Sequence, residues 1–312
     1  MKQWPSYREL HESGELRRRA DEARAALGRC RVCPRACDVD RLADERATCH
    51  TGRRARVSTW YPHFGEELAL RGHRGSGTIF FGACNLQCFF CQNHEISQAA
   101  ASREVDADEL ADMMLSLQER GCHNINWVSP EHVVPQALDA LELAAERGLR
   151  LPIVYNTSGY DSLETLRWLD GVVDIYLPDF KVWEPETGRR YLKAADYPSV
   201  ARAAIREMAR QVGPLRCDSH GLATRGLMVR HLVMPGLAAE AEAIFRWLAA
   251  EIGPDTWTHV MDQYTPLHRS DRRPEIDREV SSDEWRAAIS AARRAGLQRF
   301  EGISPAPTNA PP

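Results

Sequence analysis

The chain has 312 residues, 43% of them apolar and 27% charged, with a formal net charge of −4. That balance belongs to a globular chain able to bury a sizeable core. It leaves no basic footprint for nucleic acid. No stretch approaches the roughly 18 apolar residues of a membrane span. The opening Met1-Lys2-Gln3-Trp4-Pro5 carries no apolar signal core, so no membrane association is expected and the cytoplasm is the expected compartment. In that compartment the nine cysteines are expected as ligands, reactive thiols or core fillers rather than disulfides. Of the 40 basic residues only Lys2, Lys181 and Lys193 are lysine. A retained lysine hints at a compact ammonium that a planar guanidinium does not replace.

In chain order, Ser6-Tyr7-Arg8-Glu9 reads as a capping box opening a polar helix that runs to about Leu27, with Gly14 as a break and Gly28 as the stop. Cys30, Cys33, Cys37 and Cys49 follow, spaced C-x2-C-x3-C-x11-C. Four thiols suit a closed site, either a structural zinc or an auxiliary iron-sulfur cluster. The residue pattern leaves open a redox-active Cys30/Cys33 pair and plain core thiols.

From Val57 the pattern alternates between β-branched or aromatic runs and amphipathic helices. Strands are expected at 79–81, 125–128, 152–155, 172–177, 227–233 and 257–261. Helices are expected near 107–120, 135–147, after Asp161, and near 199–211, 239–250 and 283–295. Asp106 and Asp161 each precede a glutamate three residues on and read as acidic N-caps, while Gly121 and Gly148 sit at helix ends. Strand and helix in strict succession imply a parallel sheet of six βα units, short of the eight of a closed barrel. The chain divides into an N-terminal helix and four-cysteine segment (1–56), the βα domain (57–303) and a Pro-rich disordered tail (304–312).

The first strand runs into three more cysteines, Cys84, Cys88 and Cys91, with spacing C-x3-C-x2-C. Three crowded thiolates need a cation or an iron-sulfur core to absorb their charge. The next cysteine, Cys122, lies 31 residues beyond Cys91, so a closed zinc tetrahedron lacks its fourth ligand. A cubane is normally held by four cysteines, so three imply one iron with an open position.

This spacing, with Phe90 just before the third cysteine and Gln92-Asn93 after it, resembles the radical S-adenosylmethionine (SAM) superfamily, in the branch around pyruvate formate-lyase activating enzymes. The resemblance implies an α/β fold, a partial (β/α)6 barrel carrying the small helical, cysteine-rich N-terminal segment. It implies that Cys84, Cys88 and Cys91 hold a 4Fe-4S cluster and that S-adenosyl-L-methionine binds at the fourth iron, with Phe90 beside the adenine and Asn93 among the cofactor-binding residues. In parallel barrels ligands lie over the carboxyl ends of strands, and further blocks of the branch are matched there. Ser129-Pro130-Glu131-His132 stands where the branch has Gly-Gly-Glu, leaving Glu131 as acceptor for the methionine amino group. Asn156 and Ser158, in Tyr155-Asn156-Thr157-Ser158-Gly159, resemble the Asn-Thr-x-Gly block that binds ribose or methionine. Asp179 and Lys181 match an Asp-x-Lys block and stand as the catalytic candidates, Lys181 also as a cofactor ligand. Arg230 matches Arg-x4-Pro-Gly and would meet a carboxylate or form a structural ion pair. Gln263 and Tyr264 would face the substrate. His132 reads as a hydrogen-bonding bystander or a general base, and Cys122 and Cys217 as inert core thiols.

The implied reaction is reductive cleavage of SAM to a 5'-deoxyadenosyl radical that abstracts hydrogen from a partner. The electron would come from a donor such as flavodoxin or ferredoxin. A protein or peptide substrate, the glycine loop of a glycyl radical enzyme among them, or a small metabolite would supply the hydrogen. Two other classes stay open from the residues: a zinc-stabilised interaction protein, and an iron-sulfur electron carrier.

Overall fold

The computed structural model describes residues 4–98 and 101–301; the Pro-rich tail expected at 304–312 lies outside them. Ten strands form one sheet: β1 (Ala55–His63), β2 (Ser76–Phe81), β3 (Arg103–Val105), β4 (Ile125–Val128), β5 (Ile153–Thr157), β6 (Ile175–Pro178), β7 (Arg216–Cys217), β8 (Ala223–Leu232), β9 (Trp257–Met261) and β10 (Phe300–Glu301). Their spatial order is β10-β9-β8-β6-β5-β4-β2-β1-β3, with β7 beside β8. From β2 to β10 the neighbours along this path are parallel. Six of these strands lead into the helices Ala107–Glu119, Val134–Glu146, Leu163–Leu169, Tyr197–Val212, Ala238–Trp247 and Ser282–Arg294. The expected six βα units are therefore present. Among the described residues the two ends of the sheet do not pair, so the barrel is partial.

The sequence reading missed the antiparallel edge. β1 pairs antiparallel with β2 and β3, and the alternating burial of its first four residues, 55–58, follows from one face meeting the core. Its Arg-Val-Ser-Thr-Trp-Tyr run carries the β-branched and aromatic enrichment of a strand, masked by the arginines before it and Pro62 within it.

Two helix starts also differ from expectation. Ser6 has helical backbone angles and does not cap; its hydroxyl donates to Asp174 Oδ1 at 2.7 Å. Asp174 is fully buried, and a buried carboxylate gains more from a donor than an exposed helix end does. At Asp161 the cap is the next residue: Ser162 Oγ accepts from the Thr165 amide at 3.1 Å, and Asp161 turns inward. The Asp106–Glu109 capping box is as expected, with both reciprocal bonds made, at 2.9 and 3.0 Å. Gly14 breaks the first helix at φ +76°, a conformation that favours glycine.

Side chains alternate across the strands. One face packs under the helices. The other carries Val154, Ile175, Leu177 and Met228, which close with Ala69 and Leu70 of the short helix Leu68–Arg71 into a separate apolar group. Asn126, Asn156, Arg230 and His259 belong to the same inward face, so a polar layer lies over this apolar plug. The first two helices, Tyr7–Glu12 and Glu15–Ala25, pack against the helix Val134–Glu146.

Candidate active site

Cys84, Cys88 and Cys91 open onto one cavity of about 430 Å³, a size ordinary for a cofactor site. The same cavity is lined by Phe90, Asn93, Asn156, Ser158, Asp179, Lys181, Arg230 and Gln263. Residues spread across the chain are thus gathered at the carboxyl ends of the parallel strands and along their inner face. The backbone is forced where it enters the site. Ala83, immediately before Cys84, has φ +66°, and Ser129, after β4, has φ +56°. Such conformations in non-glycine residues persist only when their surroundings over-determine them. Gly159 has φ +78°, and a Cβ there would stand 2.4 Å from the Asp179 carbonyl oxygen, so glycine lets the Ser158 turn lie against the Asp179 loop.

All described cysteines are free thiols, and among the described residues no group of three or more His, Cys, Asp or Glu side chains is gathered as a ready site for a lone metal ion. Burial, with Glu131 and the neighbouring thiols adding to it, pushes the Cys84 thiol well up. Burial likewise pushes Cys88 to about 12, against the pull of Lys181. Such thiols stay protonated in water and ionise when a metal replaces the proton. Three soft donors on one cavity wall therefore fit an iron-sulfur core. Phe90 is 4% exposed and is backed by Tyr264 at 5.9 Å between ring centroids. Tyr264 itself is buried and donates to the Ile276 carbonyl, so it supports Phe90 while Gln263 lines the cavity.

Lys181 Nζ lies 2.5 Å from Asp179 Oδ2, with the lysine side chain 16% exposed. Burial works against the ammonium, but Asp179, Cys88 and Tyr197 outweigh it and hold Lys181 charged. Tyr197 binds this loop from behind: its hydroxyl contacts the Ser158 and Asp179 carbonyls, both at 2.9 Å.

Glu131 is 1% exposed. Its Oε1 accepts from the Thr157 hydroxyl at 2.9 Å and from the Ser158 amide, while Oε2 has no partner. It stands behind the Ser158 turn rather than among the residues lining the cavity. Thr157 also meets Asp161 Oδ2 at 2.6 Å, and Tyr155 donates to Asp161 Oδ1 at 2.8 Å. One threonine proton cannot serve two carboxylates. Burial and then the Glu131 charge push Asp161 up to about 8, so at neutral pH Asp161 keeps its proton, donates to Thr157, and Thr157 donates to Glu131. Because the folded-state value lies above the unfolded value near 3.9, the folded chain binds the extra proton and stability falls as pH rises toward 8. Asp161→Asn, which keeps a donor toward Thr157 but binds no proton, is expected to gain on the wild type by roughly 1.4 kcal/mol for each pH unit between about pH 5 and 7.5, read by urea denaturation.

Arg230 is engaged by carboxylates that the sequence reading did not single out. Its guanidinium makes two 2.7 Å contacts with Glu67 and a third contact with Glu66; of its two expected partners the structure shows the ion pair. Glu67 is fully buried in its side chain and also receives His259 Nδ1 at 2.8 Å. Burial alone would raise Glu67, but Arg230 and His259 hold it far below the ordinary carboxylate range. Glu66, Glu67 and His259 were missed because two adjacent glutamates before a short apolar run look like a solvated helix start. Their partner lies 163 and 164 residues away. A wall of aromatic rings completes the cavity: Tyr61 stacks on Phe80 at 5.6 Å, and His63 meets both edge-on at 5.5 and 5.8 Å.

The N-terminal cysteines form a second group. Cys30, Cys33, Cys37 and Cys49 surround a small space with Arg35, Arg41 and His132. Burial and Arg41 push the His132 imidazole down to about 3, so it is neutral, and its Nε2 hydrogen bonds to Gly82 O at 3.1 Å. His132 thus belongs to this second group rather than to the larger cavity. Cys122 is buried, whereas Cys217 is exposed on β7, which corrects the expectation of a core thiol there.

A family model of the radical SAM superfamily matches residues 78–248 of the chain. The chain belongs to the radical SAM superfamily. Membership carries the expectation of a 4Fe-4S cluster and SAM, and the free thiols, the cavity and the partial barrel described above accommodate both. This radical SAM protein is 29% identical over 276 residues to an uncharacterized protein of Methanocaldococcus jannaschii, covering 86% of this chain and 75% of that one. Among solved structures, a domain of pyruvate-formate lyase-activating enzyme from Bacteroides vulgatus superposes with a TM-score of 0.39 at 14% identity, covering 55% of this chain and 89% of that chain. A radical SAM methyltransferase from Sphaerobacter thermophilus gives 0.48 at 14% identity, covering 72% and 65%. SuiB of Streptococcus suis bound to S-adenosylmethionine gives 0.49 at 9%, and the match spans 70% of this chain and 48% of SuiB. No helix of the described residues is long and apolar enough to cross a membrane.

Proposed function

We propose that the protein cleaves SAM reductively at a cluster held by Cys84, Cys88 and Cys91 and uses the resulting radical to abstract hydrogen from a peptide or protein segment. The glycine loop of a glycyl radical enzyme, as in the pyruvate formate-lyase activating branch, is one such segment, and a small metabolite is the alternative. The observation that carries the reading is the convergence of the three motif thiols, the Asp179–Lys181 pair, Asn156, Ser158 and Phe90 on one cavity.

The cluster, when bound, supplies the electron that splits SAM into methionine and a 5'-deoxyadenosyl radical. The chain's own residues do the rest. Lys181, kept charged by Asp179, receives the methionine carboxylate. Asn156, Ser158 and Asn93 offer hydrogen bonds to the polar edges of the ligand, and Phe90, held by Tyr264, covers the adenine. Glu131 fixes the Ser158 turn from behind, and its unpartnered Oε2 is the acceptor offered to an N–H of the methionine amino group. Arg230, already balanced by Glu66 and Glu67, holds the polar layer under the ligand. Tyr61, exposed to 36%, and Phe64, to 45%, belong to the open antiparallel edge and give an incoming peptide apolar purchase. The required low-potential electron donor is of the flavodoxin or ferredoxin class.

The test is chromatography of 5'-deoxyadenosine and methionine after anaerobically reconstituted protein meets SAM and dithionite. Equimolar appearance of both supports the reading; neither product above the iron-free protein defeats it.

A further inference from the structure

We infer that Cys30, Cys33, Cys37 and Cys49 hold a second, closed thiolate metal centre whose negative charge is the counter-ion of Arg41 and Arg35. This inference does not depend on the chemistry at Cys84, Cys88 and Cys91.

Its basis is an uncompensated charge. Arg41 is 1% exposed, and its contacts are the Gly52 carbonyl at 3.0 Å, the His132 carbonyl at 2.8 Å and Cys30 Sγ at 3.6 Å. No carboxylate is among them, and Nη2 has no partner at all. Arg35 donates to the Asn85 and Lys193 carbonyls, at 2.8 and 2.7 Å, and its buried Nη2 is likewise unpartnered. A guanidinium removed from water needs an anion, and the groups able to become anionic around this space are the four thiols.

Two alternatives leave the charge unanswered. Four neutral thiols carry none, and a Cys30–Cys33 disulfide removes two of the four potential anions. Four thiolates on a zinc ion, or on a 4Fe-4S core of charge +2, leave a net charge of about −2 to face the two guanidiniums. The thiols ring the space without being gathered on a point, as protonated thiols should. A cation that displaces their protons supplies the attraction that draws them in. Zinc and the iron-sulfur core share this chemistry, and metal analysis separates them.

The centre also has a mechanical consequence. Arg35 ties the segment to Asn85, next to Cys84. Arg41 ties it to His132, which in turn holds Gly82. The loops carrying Cys84 and Glu131 are thus pinned through the guanidiniums that the centre balances.

The experiment uses the full chain carrying Cys84→Ala, Cys88→Ala and Cys91→Ala, in which the N-terminal group is the remaining cysteine cluster. It is incubated anaerobically with zinc chloride, or with ferrous iron and sulfide, and examined by native mass spectrometry and elemental analysis. The expected result is one zinc, or four irons with four sulfides, per folded chain. Adding Cys33→Ser and Cys49→Ser should remove that metal. Should those core changes unfold the chain, which the charge-state distribution reveals, Cys37→Ser provides the second variant. Cys37 is only partly buried, and its loss should weaken zinc more than about tenfold against a competing chelator. A folded triple variant that binds neither zinc nor iron overturns the proposal, as does metal retained undiminished in the Cys37→Ser protein.

Discussion

Cys88→Ala is expected to lower 5'-deoxyadenosine formation by on the order of a thousandfold, to the level of iron-free protein, because the three thiols act as a unit and removing any member removes the function. Cys88 is the member whose surroundings tie it to the rest of the site: its thiol feels Lys181 and Asp179 as well as Cys91. The variant should lose iron at the larger cavity while keeping its fold, since Cys88 is only partly buried and lines the cavity. Cys217→Ser, altering an exposed thiol, should leave product formation unchanged. Chromatography of the nucleoside with parallel iron determination checks both. Activity surviving in iron-loaded Cys88→Ala would mean that the ligand set has been misassigned.

Arg230→Met should destabilise the protein by about 3–5 kcal/mol, the usual result of stripping one partner from a buried charge cluster. It leaves Glu66 and Glu67, with side chains 6% and 0% exposed, without the guanidinium that faces both. For a chain of this size that corresponds to a thermal midpoint lowered on the order of 10 °C. Glu66→Gln and Glu67→Gln added to Arg230→Met should recover most of the loss, since the damage is the unpaired charge rather than the missing side chain. If Arg230 instead served chiefly to bind the SAM carboxylate, the single variant would keep its midpoint and lose affinity for SAM.

How far the sequence could be read depended on the range of the interactions involved. The motif cysteines were legible because their ligand chemistry is written within eight residues, and the six parallel strands because a buried strand needs a run of β-branched residues. The Asp179–Lys181 pair was legible for a similar reason: it spans three residues, and lysine is rare in this chain. Contacts closed over long separations were not. Glu67 is ordinary until Arg230 and His259 arrive from β8 and β9, and Asp161 reads as a helix cap until Tyr155 and Thr157 claim it from β5. Ser6 likewise matched a capping pattern, yet the buried Asp174 made the stronger demand on its hydroxyl. In each case a local rule worth about 1 kcal/mol yielded to the demand of a buried carboxyl group for partners. The four N-terminal cysteines were legible as a group, but the guanidiniums that give them electrostatic meaning became visible only when Arg41 was found buried without a carboxylate.

Everything proposed for catalysis rests on three side chains serving four irons. Electron paramagnetic resonance of the reduced protein, recorded with and without SAM labelled with 15N and 17O at its amino and carboxylate groups, tests this directly; the Cys33→Ser/Cys49→Ser protein keeps the second centre from contributing. The spectrum is predicted to shift on adding SAM, and to show hyperfine coupling to both labels. A spectrum unmoved by SAM, with a side chain of this protein coupled at the fourth iron instead, would contradict the account.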